Sequence, residues 1–246
     1  MQAAAKLSAK TKILDAALSV IRARGYAATT VDDLCAAAGV TKGAFFHHFK
    51  SKDDLAVAAA DHWSETTSAL FASAPYHVHA DPLDRVLGYI DFRKSLLKGA
   101  VPEFTCLVGT MVQEAYGSHP AIRDACARSI TGHAAKVEAD IRAAIEEHGI
   151  DPAWTASSLA LYTQAVLQGA FILAKAKGSS AVAADCVDQL RRTVELLFNR
   201  PQEKETANDE RPDPDEAPAK SQGRRRAARP AAGDAAPGVR RRGRRH

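Results

Sequence analysis

Between Thr30 and Lys52 the chain sets hydroxyls, amines and imidazoles at intervals that suit contact with a phosphate backbone and with base edges. Thr30, Thr41 and Ser51 each stand one residue ahead of a helical pattern, where a side-chain oxygen can cap a helix. Asp33 follows Thr30 by three positions, as Asp54 follows Ser51, which is the spacing of a capping box. In the stretch after Thr41, Lys42 is the one long side chain suited to a guanine edge, and His47 is a second possible reader. Gly43 and Ala44 would let the backbone come close to DNA. No Walker A, GxGxxG, GxSxG or HExxH pattern occurs, so an enzyme is the reading with least support.

The elements that must position these groups are short helices. Ile13, Leu14, Ala17, Leu18 and Ile21 form an apolar stripe that stops before Gly25. The spacing predicts a helix over 31–38, a second over 42–48 and a third from Ser51 to about Ser73. Cys35 is the small residue where two helices would cross, and Gly39 is the turn. Leu34, Ala38, Val40 and Phe45 are the apolar anchors, so the pattern is that of a helix-turn-helix. A plain helical hairpin would use the same spacing. Charge separates the two readings: residues 1–52 hold eight Lys/Arg against three Asp, whereas residues 53–200 hold 13 basic and 18 acidic side chains. Phosphate binding predicts that polarity, and a hairpin used only for packing does not require it.

A family resemblance rests on Ile13-Leu14-x-Ala16-Ala17, on Gly25-Tyr26-x-x-Thr29-Thr30-Val31, on Ala38 through Phe49, and on Ser51 through Leu55. Over about 45 residues the chain resembles the DNA-binding domain of TetR-family transcriptional regulators. The resemblance implies that Thr30 opens the second helix near phosphate. It implies further that Thr41, Lys42, Gly43, Ala44 and His47 lie on a recognition helix facing the major groove of double-stranded DNA. His48 and Lys52 are similar to the family's phosphate contacts. Phe46 stands where the family most often has Tyr, so one hydroxyl contact to phosphate is lost or replaced.

Composition bounds the rest. The 246 residues are 46% hydrophobic with a formal net charge of +4. Residues 1–200 are balanced at 21 basic and 21 acidic side chains, and residues 201–246 carry 12 and 8. With 6% aromatics and little β-branched alternation, the fold class is all-α. We expect a helix-turn-helix domain at 1–55, a ligand-binding and dimerisation domain at 56–200, and a disordered, acidic-then-basic tail at 201–246. No apolar run approaches the length needed to cross a bilayer, and no secretory signal is present. Cys35, Cys106, Cys126 and Cys186 form no CxxC pair, which points to reduced thiols, a cytoplasmic setting and no zinc.

Past residue 75 the helical stripes lengthen, with candidates over 121–148, 153–177 and 181–199. The last two are apolar on more than one face, which fits either a central core helix or a helix pair packed on a two-fold copy. On the second reading the homodimer interface holds Leu161, Ala165, Gln168, Ile172, Leu190, Val194 and Leu197. An unidentified small-molecule effector is expected in this domain, with no cofactor and no metal. His77, His79 and Asp81 lack a partner motif for a metal site. The surroundings of Cys106 resemble those of TetR-like regulators whose Cys answers electrophiles or oxidants, although a thiol there can equally be structural. The leading expectation is a ligand-responsive repressor that acts as a homodimer on a palindromic operator. A repressor sensing electrophiles through Cys106, and an architectural DNA binder driven by the Arg-rich tail, are the alternatives.

Overall fold

The computed structural model describes residues 7–199, and the expectations for the tail at 201–246 lie outside them. Ten α-helices occur among the described residues, with one short 3-10 turn and no strand. They are α1 (Ala9–Arg24), α2 (Val31–Ala38), α3 (Lys42–His48), α4 (Lys52–Ala72), α5 (Pro82–Ser95), α6 (Val101–Phe104), α7 (Leu107–Ala115), α8 (Pro120–Glu147), α9 (Ala156–Lys177) and α10 (Ala181–Leu197).

Local chemistry accounts for the first four. Thr30 and Asp33 close a reciprocal capping box on α2, with Oγ1 taking the Asp33 N–H at 3.1 Å and Oδ2 taking the Thr30 N–H at 3.0 Å. Thr41 Oγ1 caps α3 through the Ala44 N–H at 3.2 Å, and Ser51 caps α4 through the Asp54 N–H at 3.1 Å. Gly39 takes left-handed φ 63° between α2 and α3, a conformation that penalises any residue with a Cβ. The tight turn is therefore encoded by a single residue type.

Two apolar clusters organise the packing. One joins Ile13, Ala17, Leu34, Phe45 and Leu55 of the first four helices to Leu107 and Met111 of α7 and to Ile122 of α8. Its continuity means the core does not break where the expected boundary at residue 55 falls. The other joins α5, α8, α9 and α10 through Leu83, Ile90, Ile141, Leu167 and Val194.

Three expectations need correction. Helix α9 begins at Ala156 rather than at Ala153, because Thr155 and Ser158 form the cap. Helices α6 and α7 fill a stretch to which the sequence pattern assigned no element. Helix α9 is long and apolar enough in composition to cross a membrane, contrary to the expectation of no such segment. Here it packs against α8 and α10, with Leu159, Leu167, Ala170 and Ala174 buried.

Candidate nucleic-acid interface and the cavity behind it

Helix α3 is anchored from below by Phe45, which has no exposed surface, and by Phe49 beyond its C-terminus. That anchoring turns Thr41, Lys42, Gly43, Phe46 and His47 to solvent, with Ala44 and His48 half-buried at the sides. The seven residues therefore keep surface open to a partner while Phe45 and Phe49 hold the helix to the core. Lys42 Nζ reaches Asp32 Oδ1 of α2 at 2.8 Å, which steadies the amine across the turn while leaving it exposed. The Asp32 carboxylate also holds the Lys42 ammonium above its ordinary pKa. Phe46 is 55% exposed, its ring edge-on to Phe45 at 5.2 Å. An exposed ring there can pack against sugar and phosphate but has no hydroxyl to donate.

Not every expected contact points outward. Lys52 Nζ donates to the carbonyls of Tyr26 at 3.1 Å and Thr29 at 3.0 Å, and lies 4.3 Å from the Tyr26 ring centre. Two of its three N–H bonds are thus engaged in closing the loop between α1 and α2. The Thr30 and Thr41 hydroxyls are likewise engaged as caps.

The loop that Lys52 closes is held from the other side by α7. Glu114 accepts the Tyr26 N–H at 3.2 Å and the Ala27 N–H at 2.7 Å. A Cβ on Gly25, which has φ 89°, would collide with that carboxylate. The Tyr26 hydroxyl donates to Asp53, and burial followed by that carboxylate raises its pKa. Arg22 of α1 reaches the Glu103 carbonyl of α6 at 2.9 Å and lies over the Trp63 ring of α4. The head is thereby bonded to the body at several points. Glu114 lacked any expected role, because its partners are two backbone amides that no pattern marks.

Behind the head a cavity of about 320 Å³ opens between α4, α5, α8 and α9. Its wall includes Trp63, Phe71, Arg93, Cys106, His133 and Gln168. Gln164 Nε2 donates to the Tyr89 hydroxyl at 3.1 Å, and that hydroxyl lies 3.0 Å from His133 Nε2. Burial pushes the His133 imidazole down to about 3, and Arg93 and Lys136 push the same way, so the ring is neutral. Cys106 caps α7, its Sγ accepting the Gly109 N–H at 3.4 Å, and it also lines an adjoining cavity of about 230 Å³. Arg22 and Lys175 are its electrostatic neighbours, and burial lowers the pKa of both. In the adjoining wall the Thr105 hydroxyl is buried without a hydrogen-bond partner among the described residues.

The expected interface residues divide. Leu161 at 50% and Ile172 at 49% are exposed on α9, together with Ala165, Tyr162 and Leu173. Leu190 at 1% and Val194 at 0% belong instead to this chain's own core, where α10 packs on α9 and α5. Leu197 packs half-buried against the same cluster, and Gln168 faces the two cavities. Leu190 and Val194 therefore leave the candidate interface, since their surfaces are already used within one chain, whereas Gln168 and Leu197 keep part of theirs. His77 Nε2 bonds the Phe71 carbonyl at 2.9 Å, while Asp81 caps α5 and meets His148 at 3.0 Å.

Residues 13–59 match the family model described as bacterial regulatory proteins, tetR family. Residues 82–190 match the one described as tetracyclin repressor-like, C-terminal domain. The chain is similar to the HTH-type transcriptional repressor KstR2 of Rhodococcus jostii, with 42% identity over 50 residues, 20% of this chain and 24% of that protein. It is also similar to the HTH-type transcriptional regulator TtgR of Pseudomonas putida, with 36% identity over 74 residues, 30% of this chain and 35% of that protein. These matches span well under half the length of the curated relatives. Among solved structures, a TetR transcriptional regulator from Chloroflexus aurantiacus aligns with a TM-score of 0.68 at 24% identity, covering 77% of this chain and 95% of that one. That likeness speaks to the fold.

Proposed function

The chain belongs to the TetR family of bacterial transcriptional regulators, and on that premise we propose that it is a homodimeric repressor released from a palindromic operator by a small-molecule effector. The observation that carries the reading is the exposed face of α3: a lysine, a glycine, an aromatic ring and a histidine held outward by a fully buried Phe45. Lys42 and His47 read base edges, His48 contacts phosphate, and Gly43 with Ala44 permits close approach. Lys52 acts through the loop it closes, with its remaining N–H available to phosphate.

Two copies paired along the apolar face of α9 set two such helices on a dyad. Half-sites about 34–36 Å apart, one turn of DNA, are then read together. An effector in the cavity between α4, α5, α8 and α9 bears on both α7 and α4, which hold the head. It lowers DNA affinity to the extent that it prefers the arrangement unsuited to that spacing. The test is a gel shift with the DNA upstream of the chain's own gene and of its neighbours. Retarded bands that Lys42→Ala abolishes support the reading; no binding to any palindrome there refutes it.

A second reading has its own observation. The sulfur of Cys106 sits at the N-terminus of α7, partly exposed between two cavities and near two cations, the setting in which thiols become reactive. On that reading a soft electrophile alkylates Cys106 and loosens DNA binding. Cys106→Ser then abolishes the response to the electrophile and leaves basal operator affinity intact.

A further inference from the structure

The cavity wall contains a charge that no described residue neutralises. The guanidinium carbon of Arg93, near the end of α5, lies 5.2 Å from the ring centre of Phe71, 5.9 Å from that of Tyr89 and 6.0 Å from that of Phe171. Three elements, α4, α5 and α9, thus contribute aromatic faces to one half-buried cation. Among the described residues it makes no ion pair and no hydrogen bond. Aromatic faces orient a guanidinium and stabilise it, but they leave its charge and its N–H donors unused.

The other charged groups in the wall do not compensate. Lys136 donates to Ser68 Oγ at 2.9 Å, another cation held by a neutral partner. Arg128 has a distant partner in Asp61 at 3.7 Å. Glu103 is the one carboxylate in the wall, and it is engaged at the start of α6, accepting the Ala100 N–H at 2.9 Å. The Tyr89 hydroxyl accepts from Gln164 Nε2 and lies 3.0 Å from Nε2 of the neutral His133 ring, so both side chains find uncharged partners within the chain. The wall therefore offers cationic and neutral donors beside aromatic faces, with no free acceptor of full charge.

We propose that this cavity binds an aromatic carboxylate, its anionic end paired with the Arg93 guanidinium and its ring packed among Phe71, Trp63 and Phe171. The pairing restores what a half-buried guanidinium lacks, a planar acceptor that can take two parallel N–H bonds. A volume of about 320 Å³ suits a one- or two-ring ligand. This assignment rests on the effector-responsive reading above and gives that site its ligand chemistry.

The full chain titrated by calorimetry with 2-naphthoate, 2-naphthamide and 2-naphthylmethylammonium tests it. The carboxylate is expected to bind about tenfold or more tighter than the amide, the size of one charge-assisted contact, and the ammonium weakest. Arg93→Met keeps the aliphatic stem against the rings, and should bring carboxylate and amide to parity without loss of helical circular dichroism. Arg93→Lys should retain part of the preference, which separates loss of charge from loss of packing. Equal binding of all three probes overturns the proposal. So does binding of none of them, or an Arg93→Met protein that still prefers the carboxylate. A parallel gel shift keeps the two readings apart. Naphthoate that binds without releasing DNA leaves the anion site standing and sinks effector response, whereas release by the neutral or cationic probe alone does the reverse.

Discussion

The Glu114 carboxylate of α7 takes the Ala27 backbone N–H at 2.7 Å, so a side chain of the body caps a loop of the head. Its other oxygen serves the Tyr26 N–H, and neither amide has another partner among the described residues. Replacing Glu114 with Ala should destabilise the chain by about 1 kcal/mol, since solvent can reach Ala27 and replace part of what is lost. Glu114→Gln, which keeps one acceptor, should recover about half of that. Thermal denaturation reads both. A Glu114→Ala protein that melts with the wild type would remove the loop clamp from the account.

Gly43 sits inside α3 with ordinary helical backbone, and a Cβ there would meet nothing nearer than the Thr41 hydroxyl at 3.7 Å. The fold has no need of glycine at this position, and a helical glycine costs about 0.5–1 kcal/mol relative to alanine. Gly43→Ala should therefore raise the melting temperature of the free protein while weakening operator binding. Opposite signs are the signature of a residue kept small for a partner outside the chain. If stability and DNA affinity rise together, the close approach of α3 to DNA is refuted.

The apolar face of α9 sets the third expectation. Leu161 and Ile172 are eleven residues apart, three helical turns, and each is about half exposed at 50% and 49%. Changing both to Glu should convert a dimer to a monomer in sedimentation and reduce operator affinity by more than tenfold. A change of Leu190 would instead unfold α10, because that side chain is internal. A double variant that still sediments as the wild type would exclude α9 as the dimer seam.

Acid sensitivity follows from His133. Its folded-state pKa of about 3 lies below the ordinary value of 6.5, with Arg93, Lys136, Tyr89, Phe71 and Gln164 around the ring. Between those two values the unfolded chain binds more protons than the folded one, so stability declines as pH falls through that window. The melting temperature of the wild type should fall more steeply from neutral pH to about 5 than that of His133→Gln, which keeps an acceptor for Tyr89. Parallel slopes would show that the ring is not held neutral.

What could be read from sequence was what is decided locally. The caps at Thr30, Thr41 and Ser51 and the turn at Gly39 involve residues within four positions of one another, and the first four helices follow from them. Helix α7 was hidden because its cap is the sulfur of Cys106, a weak acceptor that carries no helix signal. On α10, the spacing of Leu190 and Val194 identified a buried stripe without saying which surface buries it. The periodicity of a helix packed inside its own chain is that of one packed on a copy. The bonds of Lys52 were hidden for a related reason: a flexible amine goes to whichever acceptors folding brings near, and the carbonyls of Tyr26 and Thr29 come from a different helix junction. The isolation of Arg93 is a relation among three helices, so no stretch of sequence displays it.

The apolar cluster that runs from Phe45 and Leu55 into Leu107, Met111 and Ile122 limits how this head can be reused. Cutting the chain at residue 55 and joining the first part to a foreign body would strip one side of that cluster and leave the Tyr26–Ala27 loop without its carboxylate. A chimera that carries only the four N-terminal helices would melt at low temperature or aggregate. One that also supplies the Leu107–Ala115 segment would keep the reading head upright. The transplantable unit is discontinuous in sequence, and grafting the helix-turn-helix onto another body has to move both pieces.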